Sequence, residues 1–157
     1  MRVGIGFDVH RFDESRPLVL GGVTVPGGPG LSGHSDADVL CHAIADALLG
    51  AAALGDIGEH FPDTEEQWRD ASSVDLLERV SHLVGRDRLA NGSVDAVLLI
   101  EAPKIAPHRA AMQKNIAEAL GMDVDRVSVK ATTAEGLGTV GRGEGAACMA
   151  VALITDA

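Results

Sequence analysis

SDADVLCHAIADALLGAAALG, residues 35 to 55, decides the fold. Its apolar residues recur at helical spacing from Val39 to about Gly50 or Gly55. Ser35 followed by Asp38 forms a start resembling a capping box. A helix this rich in Ala and Leu has to bury a wide face. The rest of the composition says against what. Of 157 residues, 46% are apolar but only 3% aromatic, with no Tyr and one Trp. The core is therefore built from Ala, Val, Leu and Ile, which suits helices packed on a sheet.

Working outward from that helix, residues 2 to 9 alternate as a first strand. PLVLGGVTVPG is a hairpin about Gly21-Gly22. GGPGLSGHSDAD is a Gly-rich loop entering the helix, and GDIGEHFPDTEEQWRD is a loop leaving it. SSVDLLERVSHLVG is a second helix with Ser72 as N-cap, ending near Gly85. SVDAVLLIEAPKI is a strand. Pro107 at the first helical position opens PHRAAMQKNIAEALG, and Gly121 stops it. RVSVKATT is a strand, GLGTVGRGEG a second Gly-rich loop, and AACMAVALIT a last, fully apolar strand. The order β-ββ-α-α-β-α-β-β implies an α/β (α+β) fold, with helices on one face of a mixed β-sheet and a small hairpin. The length implies one domain, residues 1 to 157, with a sizeable core.

The formal charge is −10 and no Lys/Arg cluster stands out, so nucleic acid is excluded as a partner. An acidic chain can still take a phosphorylated ligand where cations and backbone N–H groups supply the attraction. Cys41 and Cys148 lie far apart in apolar surroundings and read as reduced core residues. The N-terminus carries no apolar leader and no apolar run approaches membrane-spanning length. A cytoplasmic protein without membrane partners is expected.

GFDVHRF, residues 6 to 12, places Asp8 and His10 two positions apart, on one face of a strand. Alone, the pair reads more readily as a charge pair at a strand end than as two ligands of a metal. His42 supplies a third ligand from the long helix. Two imidazoles and a carboxylate match a zinc site with an open position. Asp38 and Asp46 lie one turn to either side of His42, so each is a candidate hydrogen-bond partner for a ligand histidine or plain surface charge. His34 and Ser35 precede a helix N-terminus, where anions are attracted. Ser35 is explained by capping alone, whereas His34 has no capping role and points to a ligand contact. In KATTAEGLG, the hydroxyls of Thr132 and Thr133 can donate to phosphate, and Glu135 offers the oxygen that Mg²⁺ or Mn²⁺ prefers. By itself that segment is ordinary strand chemistry.

FDVHRF, GHSDADVLCHAIADALLGAAALGDIG, FPDT, EAPKI-P and KATTAEGLG-GRGEG, in this order and spacing, closely resemble the 2-C-methyl-D-erythritol 2,4-cyclodiphosphate synthase family from residue 2 to about 154. The resemblance implies a phosphorus–oxygen lyase of non-mevalonate isoprenoid biosynthesis. Its substrate would be 4-diphosphocytidyl-2-C-methyl-D-erythritol 2-phosphate, closed to a cyclic diphosphate with release of CMP. It implies Zn²⁺ or another divalent ion at Asp8, His10 and His42, and Mg²⁺ or Mn²⁺ on the substrate diphosphate near Glu135. His34 and Thr133 would stabilise the transition state. Asp8, Val9, His10, His34, Ser35, Ile57 and Phe61 would touch substrate, and Asp56, Gly58 and Asp63 would line its erythritol side. Ala102, Pro103 and Lys104, with Thr132, Thr133, Ala134 and Glu135, would form the nucleotide and diphosphate pocket. Thr139 and Arg142 complete the implied contact set, Arg142 and Glu144 facing the inner part of the assembly. That assembly would be a homotrimer with active sites between subunits.

Two positions depart from the family pattern. Thr139 stands where an aromatic residue is usual, beside a cavity on the trimer axis that is implied to take isoprenoid diphosphates. Glu65 replaces an Asp after FPDT and keeps its charge. Two other readings compete: a zinc-dependent phosphohydrolase, which would use the same ligands with water as nucleophile, and a non-catalytic isoprenoid-diphosphate-binding trimer, which would lose metal ligands this chain retains. The length leaves no room for the fused cytidylyltransferase found in some family members.

Overall fold

The computed structural model describes residues 1–86 and 88–157. The main sheet contains β1 (Arg2–Asp13), β4 (Gly30–Leu31), β5 (Leu89–Leu99), β6 (Val127–Thr132) and β7 (Gly145–Asp156) in the order β4-β1-β7-β5-β6. Only the β5–β6 pair is parallel, so the sheet is mixed. β2 (Val19–Leu20) and β3 (Val23–Thr24) form the separate hairpin. Gly21 and Gly22 both have positive φ (56° and 69°), as a two-residue hairpin turn that follows the strand twist requires.

Three helices cover one face: α1 (Val39–Ala52), α3 (Ser73–Arg86) and α4 (Arg109–Leu120). α1 lies on β1 and β7, while α3 packs against both α1 and α4. The sequence explains how close α1 comes. On β1, Gly4, Gly6, Asp8 and His10 share the covered face. A Cβ added at Gly4 or Gly6 would sit 1.9 Å from the carbonyl oxygen of Ala47 or Ala43. The two bare glycines let the alanine stripe of α1 touch the strand backbone. That contact brings the helix that carries His42 against the strand that carries Asp8 and His10.

Several boundaries differ from those expected. Asp38, not Ser35, caps α1: its carboxylate accepts the N–H groups of Leu40 and Cys41 (3.2 and 3.1 Å). Ser35 is still three residues short of the helix and accepts the Ala37 N–H instead. β1 runs on to Asp13 because Phe12 and Asp13 pair with the short β4, which carries no periodic signal. The supposed loop 55–70 contains α2 (Ile57–His60), capped by Asp56, and a 3₁₀ turn at Glu66–Trp68. β5 begins at Leu89 rather than Ser93, continuing through a bulge at Gly92, and ends at Leu99. A 3₁₀ turn at Ala106–His108 takes up Pro107, so α4 starts at Arg109. The second Gly-rich loop contains α5 (Gly138–Gly141).

The apolar stretch of β7, residues 146–154, is covered mainly on one face. Ala146, Cys148, Ala150, Ala152 and Ile154 are buried under α1, while Met149 and Val151 are exposed. On β1, Val3, Ile5, Phe7 and Val9 are exposed beside them. Both cysteines are free and buried, as expected.

Candidate metal centre and adjoining cleft

The side chains of Asp8, His10 and His42 converge where α1 crosses β1. Asp8 Oδ2 lies 2.9 Å from His10 Nε2 and 3.0 Å from His42 Nδ1, and the two nitrogens are 3.3 Å apart. Donors ~2.0–2.1 Å from a tetrahedral ion stand about 3.3 Å from one another, so the triangle fits a zinc-sized cation. The set can therefore hold a metal ion. The remaining nitrogen of His10, Nδ1, lies 2.6 Å from the Ser32 carbonyl. A carbonyl only accepts, so Nδ1 carries a proton, and Nε2 is the nitrogen that would turn a lone pair to a bound cation.

Burial alone would raise the Asp8 pKa. Hydrogen bonds from His10 and His42, and their charge, outweigh it and hold the carboxyl well below its usual range. Burial likewise works against a charged His10, but Asp8 and the Ser32 carbonyl leave its pKa above the ordinary imidazole value. The cluster attracts positive charge, as a cation site must.

Neither aspartate that flanks His42 is its hydrogen-bond partner, which corrects the expectation for both. Asp46 Oδ1 accepts the Ile57 N–H at 2.8 Å and so anchors α2 to α1. Asp38 is fully buried, capping α1 and accepting the Gly22 N–H at 2.8 Å from the hairpin. Burial raises the pKa of both. The neighbours of His42 Nε2 are hydroxyls: Ser73 Oγ at 2.8 Å and Ser35 Oγ at 3.1 Å.

A cleft of about 430 Å³ opens beside the cluster. Asp8, His10, His34, Ser35 and His42 line one side, and Ile57, Gly58, Phe61 and Asp63 the other. These are nine of the residues singled out in the sequence. Asp56 stands at the cap of α2, its carboxylate taken by the Glu59 N–H. The loop 61–68 is held down by His34, whose Nε2 donates to the Glu65 carbonyl at 3.0 Å, and by Trp68 packed edge-on to Phe61. Arg16 fixes GHSDAD from behind, its guanidinium donating to the carbonyls of Gly33 and Ser35. Gly33 and Pro62, inside the GHSDAD and FPDT stretches, also line the cleft, as do Trp68 and Leu76, which no motif marks.

The second group of expected residues does not join this cleft. Val9, Ala147, Leu99 and Thr132 form one row across β1, β7, β5 and β6. Three strand spacings put Thr132 roughly 14 Å from Val9. Ala102–Lys104 follow β5 and Thr133–Glu135 follow β6, side by side because that strand pair is parallel. There Glu101 Oε1 accepts the Ala134 N–H at 2.6 Å, and Thr133 Oγ1 donates to Glu135 Oε1 at 3.2 Å. Glu135 adopts a left-handed φ of 54°, a strained conformation of the kind found at ligand sites. Thr139 is exposed on α5, and Arg142 pairs with Glu144 at 2.6 Å. All these segments leave the same edge of the sheet as His10. A further cleft of about 410 Å³, between α3 and α4, is lined by Ser72, Asp75, Glu78, Asn115 and Glu118.

Comparison with known proteins agrees along the whole chain. The 2-C-methyl-D-erythritol 2,4-cyclodiphosphate synthase of Salinibacter ruber is 59% identical over 157 residues, covering all of both chains. The enzyme of the same name from Chlorobium phaeobacteroides is 58% identical over 156 residues, 99% of this chain and 98% of its own. A solved 2C-methyl-D-erythritol-2,4-cyclodiphosphate synthase with CDP bound is 37% identical and superposes with a TM-score of 0.89, covering 98% of this chain and all of its own. The YgbB family pattern matches residues 1–155, a span that takes in the metal cluster, the cleft and the β5–β6 edge, and the chain belongs to that family.

Proposed function

We propose that this chain is a cyclodiphosphate synthase that converts 4-diphosphocytidyl-2-C-methyl-D-erythritol 2-phosphate to 2-C-methyl-D-erythritol 2,4-cyclodiphosphate and CMP in non-mevalonate isoprenoid biosynthesis. The observation that carries this reading is the Asp8–His10–His42 cluster opening onto a polar cleft in a chain of this family. An oxygen of the 2-phosphate attacks the β-phosphorus. The bond from that phosphorus to the oxygen bridging to the α-phosphate breaks, and its electron pair leaves with CMP. Both reacting groups are anionic, so the task of the protein is to bring them together and offset their repulsion. No covalent protein nucleophile is required.

Asp8, His10 and His42 would hold Zn²⁺ or another divalent ion, and Glu135 would hold Mg²⁺ or Mn²⁺ on the diphosphate; such ions supply positive charge to phosphoryl oxygens. His34 and Ser35 contact the phosphate that attacks, and the α2 side of the cleft takes the erythritol. Ala102–Lys104 and Thr132–Glu135 take the cytidine and diphosphate. These two halves lie on different parts of one chain, so a complete site forms between neighbours in a homotrimer. The exposed apolar face of β1 and β7 supports such an assembly. Among the described residues no helix is long and apolar enough to cross a membrane, which suits a cytoplasmic enzyme.

The test is incubation with the cytidylyl substrate and Mg²⁺ or Mn²⁺, with and without a zinc chelator, alongside His42→Ala. CMP should be released by the wild type alone and suppressed by the chelator. CMP release by His42→Ala at the wild-type rate would refute the assignment.

A further inference from the structure

Ser73 is the first residue of α3, is 1% exposed, and has no place in the reaction described above. Its hydroxyl nevertheless touches two functional groups. Ser73 Oγ donates to Asp36 Oδ1 and lies 2.8 Å from His42 Nε2. The Ser73 N–H also donates to the same carboxylate, to Oδ2 at 3.0 Å.

The direction of these hydrogen bonds follows from the chemistry of each group. An ionised carboxylate only accepts, so the Ser73 proton points at Asp36. The Ser73 oxygen then has only lone pairs left for His42. His42 Nε2 must therefore carry a proton and donate it, so that once a cation stands between Nδ1 and Asp8 Oδ2, 3.0 Å apart here, Nδ1 is the nitrogen free to offer it a lone pair. Were the hydroxyl turned the other way, the proton would sit on Nδ1 and block the metal-facing nitrogen. Ser35 Oγ, at 3.1 Å, already takes the Ala37 N–H and has no carboxylate behind it to fix its direction.

We infer that Asp36 and Ser73 form a hydrogen-bond relay that selects the Nε2–H tautomer of His42 and so positions Nδ1 as a metal ligand. The relay does for His42 what the Ser32 carbonyl does directly for His10. Ligand histidines commonly donate their second N–H to a carboxylate or carbonyl; here a hydroxyl is interposed. The relay also ties α3 to the metal centre, since its carboxylate lies in the loop before α1 and its hydroxyl at the start of α3.

This inference rests on the metal reading above, and one set of measurements separates the two. Zinc Kd is measured by competition with a chromophoric chelator for wild type, Ser73→Ala and Ser73→Thr. The visible absorption of the cobalt-loaded proteins and the thermal midpoints of the metal-free proteins are recorded beside it. Ser73→Ala should melt close to wild type when metal-free, yet bind zinc roughly 10- to 100-fold more weakly, with an altered cobalt spectrum. Ser73→Thr, which keeps the hydroxyl, should restore most of the affinity and the spectrum. Wild type that takes up neither zinc nor cobalt would overturn the metal reading. Wild type that binds, with Ser73→Ala matching it in Kd and spectrum, would overturn the relay alone. If Ser73→Ala does not fold, Asp36→Asn decides by the same two readouts.

Discussion

Thr133 and Glu135 hold each other in the free chain: the hydroxyl of one donates to the carboxylate of the other at 3.2 Å and accepts its N–H at 3.3 Å. A cation on Glu135 would release that hydroxyl toward the leaving phosphate. Charge moves onto this phosphate only as the ring closes, so the contact strengthens in the transition state. Thr133→Val keeps the β-branched shape at an exposed position. It should lower kcat by about 10² to 10³ with KM little changed. Steady-state kinetics showing a raised KM and an intact kcat would instead make Thr133 a plain binding contact. At this scale the sequence was legible in part. Asp8 and His10 were visible because a period of two puts them on one face. The partners that orient the histidines were not: one is a backbone carbonyl at Ser32, and the other a hydroxyl 31 residues from His42. Asp38 and Asp46 sit at the right helical spacing, but backbone N–H groups claim their carboxylates first.

α1 and β1 act as one unit. The helix supplies His42, the strand supplies Asp8 and His10, and Gly4 and Gly6 set the distance between them. Gly6→Ala would place a methyl on the backbone of Ala43, which cannot rotate away. The helix must then lift. The expected cost is about 3 kcal/mol, the upper end for overpacking, with loss of metal uptake because His42 moves off the strand. Urea unfolding checks the first part and metal analysis the second; an unchanged midpoint with stoichiometric metal would contradict this account of the crossing. The helices themselves were readable from apolar periodicity and from stops such as Gly121, which takes a left-handed φ of 63°. Their starts were less so, because Ser and Asp residues crowd the entry to α1 and only the backbone geometry decides which one caps it. Short pieces such as β4, α2 and α5 have too few residues to show a period.

One edge of the sheet gathers both halves of the proposed site, yet a single chain keeps them roughly 14 Å apart. Neighbouring copies would close that gap, and the uncovered face of β1 and β7 is where they would meet. Val3, Ile5, Phe7 and Val9 are each more than half exposed there. Phe7→Glu should convert a sedimenting trimer to a monomer that still takes up metal but has lost turnover. A wild-type chain that sediments as an active monomer would refute the shared site. In the sequence β1 reads as an alternating strand and β7 as a fully apolar run. Neither pattern could show that α1 covers only one face of the pair, since an interface and a core draw on the same residues. What separates a cyclising enzyme from a phosphohydrolase built on the same ligands is the identity of the nucleophile, and phosphorus NMR of the product reports it directly. Incubated with the cytidylyl substrate and Mg²⁺, the protein should yield CMP and a cyclic diphosphate whose two phosphorus signals are mutually coupled. Orthophosphate, or CMP with a 2,4-bisphosphate whose two phosphorus signals are uncoupled, would mean that water attacks instead and would contradict the account.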